Sequence, residues 1–315
     1  MILALCADKG SPGVTVTAMA LAAVWPGERV LLEADPSGGD LALRLRSPAD
    51  GELAVSPAVT SLAADAREGI AGGALTRYAQ PTALGFPVLV GPPSAEGMEP
   101  VARLWPLVAS AAHTWPGTVI ADLGRLQLRN SASPLAAAAT TVLLLTRAAA
   151  REDLYHVRER ASELAGRLGQ GPHGRSPLAV VVLCLSAEAG HAVAQVRQVL
   201  ASEATTSTVP VAGAIAVDRR AVEALRGMPS RRLQGSDLLR SARVVAETVI
   251  GWFPELVDHD RAEVTGAHHA HLPDHTGLPD HAGTGVLGGP PERNPYLDTG
   301  NGHLPRPRTP GWGQR

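Results

Sequence analysis

Apolar residues along this chain fall into short unbroken blocks separated by longer stretches of helical spacing. The blocks are ILALCA (2–7), RVLLEA (29–34), PVLVG (87–91), TVIADL (118–123), TTVLLLT (140–146), LAVVVLCLS (178–186) and VPVAGAIA (209–216). A strand with one face in water alternates apolar and polar residues. These blocks mostly do not alternate, which predicts strands of a parallel sheet covered by helices on both faces. Helical patterns occupy 15–25, 57–68, 97–113, 151–168, 190–203, 218–226 and 236–253. Strands alternating with helices predict an α/β fold with a doubly wound, mostly parallel sheet, whose ligands sit at the carboxyl ends of the strands.

The pattern stops near residue 255. Beyond it come segments such as HLPDHTGLPDHAGTG and HLPRPRTPGWGQR, too poor in apolar groups to offset the entropy of ordering them. The chain therefore divides into one domain over 1–255 and a Pro/Gly/His-rich tail over 256–315, predicted to be disordered. Seven of the 11 histidines lie in that tail, among them His268, His269 and His271. No cysteine or regular ligand spacing accompanies them, so a solvated tail is a better reading than a metal site.

Composition narrows the class. A hydrophobic content of 45% in 315 residues is ample for a core, and a net charge of -2 argues against a strongly basic nucleic-acid binder. Aromatics make up 3%, too few for base-stacking platforms. The two cysteines, Cys6 and Cys184, sit in strand-like runs and read as buried free thiols. The first residues lack the basic flank of a secretory signal, and no apolar run approaches membrane-spanning length. A cytoplasmic protein with no transmembrane segment is expected. Among the 28 basic residues only Lys9 is lysine. In so arginine-rich a chain, that position is expected to need a compact ammonium, as a point-charge contact to phosphate does.

Lys9 opens the stretch that carries the chemistry, DKGSPGVTVTAMALA (8–22). Its glycines let successive backbone N–H groups point into one concavity at the positive end of a helix, as a phosphate-binding loop requires. Such loops add a lysine for the β- and γ-phosphates and then a Ser or Thr whose hydroxyl ligates magnesium. Gly13 and Thr15 keep their places; Asp8 stands at the first glycine and Val14 at the lysine. As a bare motif the loop fails, and a loose glycine turn is its default reading.

The run K-G-S-P-G-V-T-V nevertheless resembles the deviant phosphate loop of the MinD/ParA family of P-loop ATPases, K-G-G-x-G-K-T-T. Further segments follow in the family's order. RVLLEADPSGGDLALRL resembles its second strand and first switch, with Glu33 for the first acid and Asp35 for the second. TVIADLG resembles the strand that ends in a magnesium-holding acid, here Asp122. VAGAIAVDRRAVEAL resembles the family's G-x-I-P-x-D stretch near the adenine, with Ala216 where proline is common and Asp218 retained. The resemblance spans residues 1 to about 253.

It implies ATP and Mg as cofactors. Lys9, Gly10, Ser11, Pro12, Gly13, Val14, Thr15, Val16 and Asp218 would contact the nucleotide, and Thr15 and Asp122 the metal. Asp35 would position the attacking water, and Lys9 would reach a partner's phosphates across a homodimer. The alternative for Asp35 and Asp122 is an ordinary loop or cap acid at a strand end. Family members place septa, partition chromosomes and plasmids, or localise secretion and pilus machines. Val14 removes a buried contact to the phosphates, so a degenerate or very slow ATPase is expected, with Arg125 or Arg129 available as replacement charge. An active ATPase with an unusual loop and a nucleotide-free scaffold are the competing readings. The partner protein is not identified by the sequence. Arg231, Arg232, Arg240 and Arg243 would suit DNA, but a solvated helix face is the commoner meaning of such a cluster.

Overall fold

The computed structural model describes residues 1–8, 13–65, 74–126, 132–169, 177–226 and 231–257. The tail and its histidines therefore lie outside the described residues. In chain order the elements are β1 (Ile2–Ala7), α1 (Val14–Val24), β2 (Arg29–Glu33), α2 (Leu41–Arg44), α3 (Val59–Asp65), α4 (Ala74–Arg77), β3 (Gln80–Pro81), β4 (Pro87–Leu89), α5 (Ala95–Ala102) and α6 (Trp105–Thr114). They continue with β5 (Thr118–Arg125), α7 (Ser133–Ala137), β6 (Thr141–Arg147), α8 (Arg151–Leu168), β7 (Leu178–Cys184), α9 (Ala189–Ala201), β8 (Val211–Ala216), α10 (Arg219–Ala224), α11 (Arg231–Gln234) and α12 (Asp237–Trp252).

The strands form one sheet in the order β3-β4-β2-β5-β1-β6-β7-β8. Every neighbouring pair is parallel except the short β3–β4 pair at one edge. From β1 the chain builds outward through β2 and β4, returns to insert β5 beside β1, then crosses to β6 on the other side. All seven expected strands are present. Only the two-residue β3 was not anticipated, since Gln80 and Pro81 carry no strand pattern.

Alternate residues of the strands feed two cores. Ile2, Ala4 and Cys6 face a layer that includes Leu62, Trp105, Val108, Val157 and Val196. Leu3, Leu5 and Ala7 face the opposite layer, which includes Met19, Leu21, Leu239 and Val245 from α1 and α12. Burial on both faces is the reason the strand sequences do not alternate. Helix α12 presents Leu238, Leu239, Ala242, Val245, Ala246 and Val249 as one buried stripe, while Val244 is exposed.

Two expectations are corrected. The single helix expected over 97–113 is two, α5 and α6, broken at Arg103 and Leu104. Pro106 sits in the first turn of α6, where its missing N–H costs nothing and its fixed φ favours a new start. Cys6 is buried as expected, but Cys184, the last residue of β7, is only partly so.

Candidate active site

The carboxyl ends of β1, β2 and β5 open onto a cavity of about 640 Å³. It is lined by Gly13, Val14, Thr15 and Val16 from the start of α1, by Asp122, Gly124 and Arg125 from β5, and by the segment after β2 that includes Asp35, Gly38, Gly39, Asp40 and Arg44. Of the loop residues singled out in the sequence, Lys9, Gly10, Ser11 and Pro12 lie outside the described residues, as does Arg129.

Helix α1 begins directly after Gly13, which has φ 86° and ψ 37° and makes no side-chain cap. A left-handed residue at this point suits glycine, and the uncapped first turn leaves backbone N–H groups at the helix's positive end. Val14 lines the cavity but is 5% exposed and belongs to the apolar cluster that holds Met19, Leu183 and Leu239. The first residue of α1 after Gly13 is thus an uncharged, buried side chain.

The acids are placed by strand register. Glu33 and Asp122 are paired in the parallel β2–β5 ladder, and Asp122 also pairs with Leu5 of β1. Because Leu31 and Ile120 face the α1 layer, Glu33 and Asp122, two residues further along each strand, face it too. Two carboxyls therefore stand side by side under the cavity, both about 1% exposed.

Burial pushes the Glu33 carboxyl up to about 7, against the backbone N–H groups of Leu41 and Gly91, with the charge of Asp122 adding to the rise. Leu41 N donates to Oε1 at 2.8 Å and Gly91 N to Oε2 at 2.9 Å. Asp122 is likewise pushed up to about 6 by burial, opposed by hydrogen bonds from the Thr15 side chain and the Gly124 N–H. The Gly124 bond is 3.0 Å long. Asp35 is raised by partial burial, against the Ser37 N–H that donates to it at 2.8 Å. Asp35 lies so close to Gly124 that a Cβ there would land 2.0 Å from its carboxylate oxygen.

Asp35, Asp122, Thr15, Val14, Val16 and Gly13 thus line one cavity. Asp218 is not among the residues lining this cavity: it follows β8 and caps α10, accepting from Ala221 N at 3.0 Å.

Three features escaped the sequence reading. Arg44 lines the cavity from α2 and pairs with Asp40 at 2.9 Å. Arg160 of α8 donates through Nε to Asp8 at 2.8 Å, tying the residue before the loop to a helix far away in sequence. Glu33, read only as an acid near the switch, is bonded to two backbone segments. In sequence Arg160 reads as the surface partner of Glu163, three residues on; only the fold brings it to Asp8.

The chemistry of the donor set suits a hard cation held partly by a ligand's oxygens. A buried carboxylate displaced upward and bonded to a threonine hydroxyl carries charge that a divalent ion would neutralise. Among the described residues no group of three or more His, Cys, Asp or Glu forms a metal cage. Magnesium characteristically binds through one or two carboxylates plus substrate phosphates, so the two observations agree.

No family model and no curated protein sequence matches this chain. Solved structures do. The cell division ATPase MinD of Pyrococcus furiosus superposes with a TM-score of 0.57 at 18% identity, over 80% of this chain and 98% of that one. The septum site-determining protein MinD of Pyrococcus horikoshii, complexed with Mg-ADP, gives 0.56 at 17% identity, over 79% and 95%. A ParA family ATPase from Chlorobium tepidum gives 0.53 at 14% identity, over 80% and 97%. Its eight-stranded sheet and the site at the strands' carboxyl ends give this chain the fold of the MinD and ParA ATPases.

Proposed function

We propose that the protein is a MinD/ParA-like positioning or regulatory protein whose ATP site is degenerate, binding Mg-ATP weakly or hydrolysing it very slowly. The observation that carries this reading is Val14. It stands buried where the resemblance expects a lysine, while Thr15 and Asp122, which line the same cavity, are hydrogen-bonded to each other. The uncapped start of α1 and its glycine support phosphate binding. Thr15 and Asp122 would hold magnesium, which would supply charge neutralisation on the phosphates, and Asp35 would orient water. A missing charge-assisted contact to developing phosphate charge costs about 2–4 kcal/mol. That amounts to a rate lower by roughly 10²–10³.

The cellular task would be of the family's kind: chromosome partitioning, septum placement, or localisation of a secretion or pilus machine. Lys9 would reach the phosphates of a second copy, in a homodimer that also engages a partner protein. Leu185 and Val217, 54% and 46% exposed just beyond β7 and β8, offer apolar surface on the same edge of the sheet for such an assembly.

A second reading, an active ATPase with an unusual loop, is favoured by Arg44 and Arg125, which bring two guanidinium groups to the cavity. Phosphate release and ATP-dependent thermal shift, measured on the chain and on Val14→Lys, separate the two. A degenerate site predicts slow release in the native chain and a rise of up to about a hundredfold in the variant. Fast release in the native chain establishes the second reading. No thermal shift with ATP in either protein would leave a nucleotide-free scaffold.

A further inference from the structure

We propose that Arg44 binds the phosphate end of the cavity's ligand, and that Glu33 is the positioning residue that delivers it. The inference rests on the nucleotide-binding reading above and adds to it a source of positive charge where Val14 supplies none.

Arg44 lies on the wall of the cavity shared by Gly13, Thr15 and Asp122, and its side chain is 28% exposed. A guanidinium carries five N–H donors in a planar fork matched to phosphate oxygens. The ion pair to Asp40 uses Nη2 alone, and Asp40 is itself 59% exposed. An exposed pair between residues four apart contributes little, so a phosphate can replace water and Asp40 around Arg44 at small cost.

Arg44 is not on a loose loop. Glu33 holds the start of α2 through Leu41 N, and holds the turn after β4 through Gly91 N. Gly39 lies against the same carboxyl: a Cβ there would fall 1.9 Å from its Cδ. The Gly39 N–H also donates to Pro92 O at 2.9 Å, and Leu41 is fully buried. Arg44 follows one helical turn later, so its base is fixed by a buried carboxyl and not by its own ion pair. Groups held this way bind with less entropy to lose. Arg125 is the other cation on the wall, but its Nε already donates to Asp8 O at 2.8 Å.

The competing account makes Arg44 only the surface partner of Asp40. Calorimetric titration of the full chain in magnesium buffer with ATP, pyrophosphate and adenosine distinguishes them. Arg44→Gln should weaken ATP and pyrophosphate by about tenfold or more, the value of a charge-assisted hydrogen bond, and leave adenosine and the melting temperature unchanged. Arg44→Lys should recover only part of the loss, because an ammonium does not reproduce the fork. Asp40→Asn, which frees the guanidinium, should not weaken pyrophosphate. Glu33→Gln should weaken ATP in the same direction and combine non-additively with Arg44→Gln. ATP binding by Arg44→Gln within twofold of the native chain, or equal weakening of ATP and adenosine, overturns the role of Arg44. Absence of ATP and pyrophosphate binding in the native chain overturns the nucleotide reading itself.

Discussion

Strands β2 and β5 reach the carboxyl edge of the sheet with Glu33 and Asp122, whereas β7 and β8 reach the same edge with Cys184 and Ala216. All four strands are equally apolar below that level, and helices cover both halves of the sheet. On the first side lies the polar cavity of about 640 Å³ with its displaced carboxyls. On the second lie hollows of about 440 and 250 Å³, whose acidic and basic residues, Glu188 and His191 in the one and Asp237 and Arg240 in the other, lie outside the strands and are not buried. One side chain per strand end decides which side buries charge. Buried charge with upward-displaced carboxyls is unfavourable for the folded chain alone and is characteristic of sites that wait for a ligand.

The sharpest break of this contrast lies on the apolar side. Leu183, 8% exposed, lies beside Gly13, its Cδ2 3.5 Å from where a Cβ there would stand. Leu183→Ala should lower the unfolding free energy by about 2–4 kcal/mol, equally at pH 5 and pH 8, since the contribution lost is apolar burial, which no proton controls. Denaturant melts at the two pH values check this, and a loss confined to one pH would show that the apolar half also carries charge.

The polar side should respond with the opposite sign. Asp122 has its carboxyl raised from 3.8 to about 6, so the folded state holds that proton more tightly than the unfolded state does. The stability this contributes is complete below about pH 4 and is lost as the pH rises through 6; Glu33 acts alike between 4.5 and about 7. Without ligand the protein should therefore be less stable at pH 8 than at pH 5. Asp122→Asn, which mimics the protonated acid, should gain on the order of 2 kcal/mol at pH 8 and nothing at pH 4, while losing magnesium-dependent ATP binding. Equal stability of the native chain and the variant at pH 8 would mean that the acid is compensated without a ligand.

The smallest effect concerns Asp218. As the cap of α10 its replacement by alanine should cost about 1 kcal/mol. ATP affinity measured on the same variant then sharpens the comparison. A fall extends the ligand site across the sheet to β8, and an unchanged value confines Asp218 to capping.

What the sequence disclosed follows from which forces act locally. Seven strands were legible because burial on both faces leaves long apolar runs, and Thr15, Asp35 and Asp122 because their neighbours form short ordered patterns. The break between α5 and α6 was hidden because apolar spacing continues across Leu104 and Trp105 into the next helix. Glu33's bond to Gly91 spans 58 residues and Arg160's bond to Asp8 spans 152. Neither leaves a local signature, since each partner is an ordinary residue in its own segment. Arg44 was missed for the same reason: four residues from Asp40, it reads as a helix surface pair, and only Glu33's hold on the start of α2 sets it beside the cavity.

At the edge of the sheet away from the cavity, the Trp25 indole N–H donates to Thr118 Oγ1 at 3.0 Å, and that hydroxyl donates to Leu256 O. Helix α1 meanwhile packs against α12 in the same core. The segment that begins the fold is therefore sealed by the segment that ends it, across 138 residues from Thr118 to Leu256. Contacts of such long range close late, because the intervening chain must be ordered first. During synthesis the part of α1 that packs against α12 has to wait, uncovered, until nearly the whole domain has left the ribosome. A ribosome stalled before α12 would hold a sheet with one side only partly covered, a species suited to chaperone capture and open to aggregation.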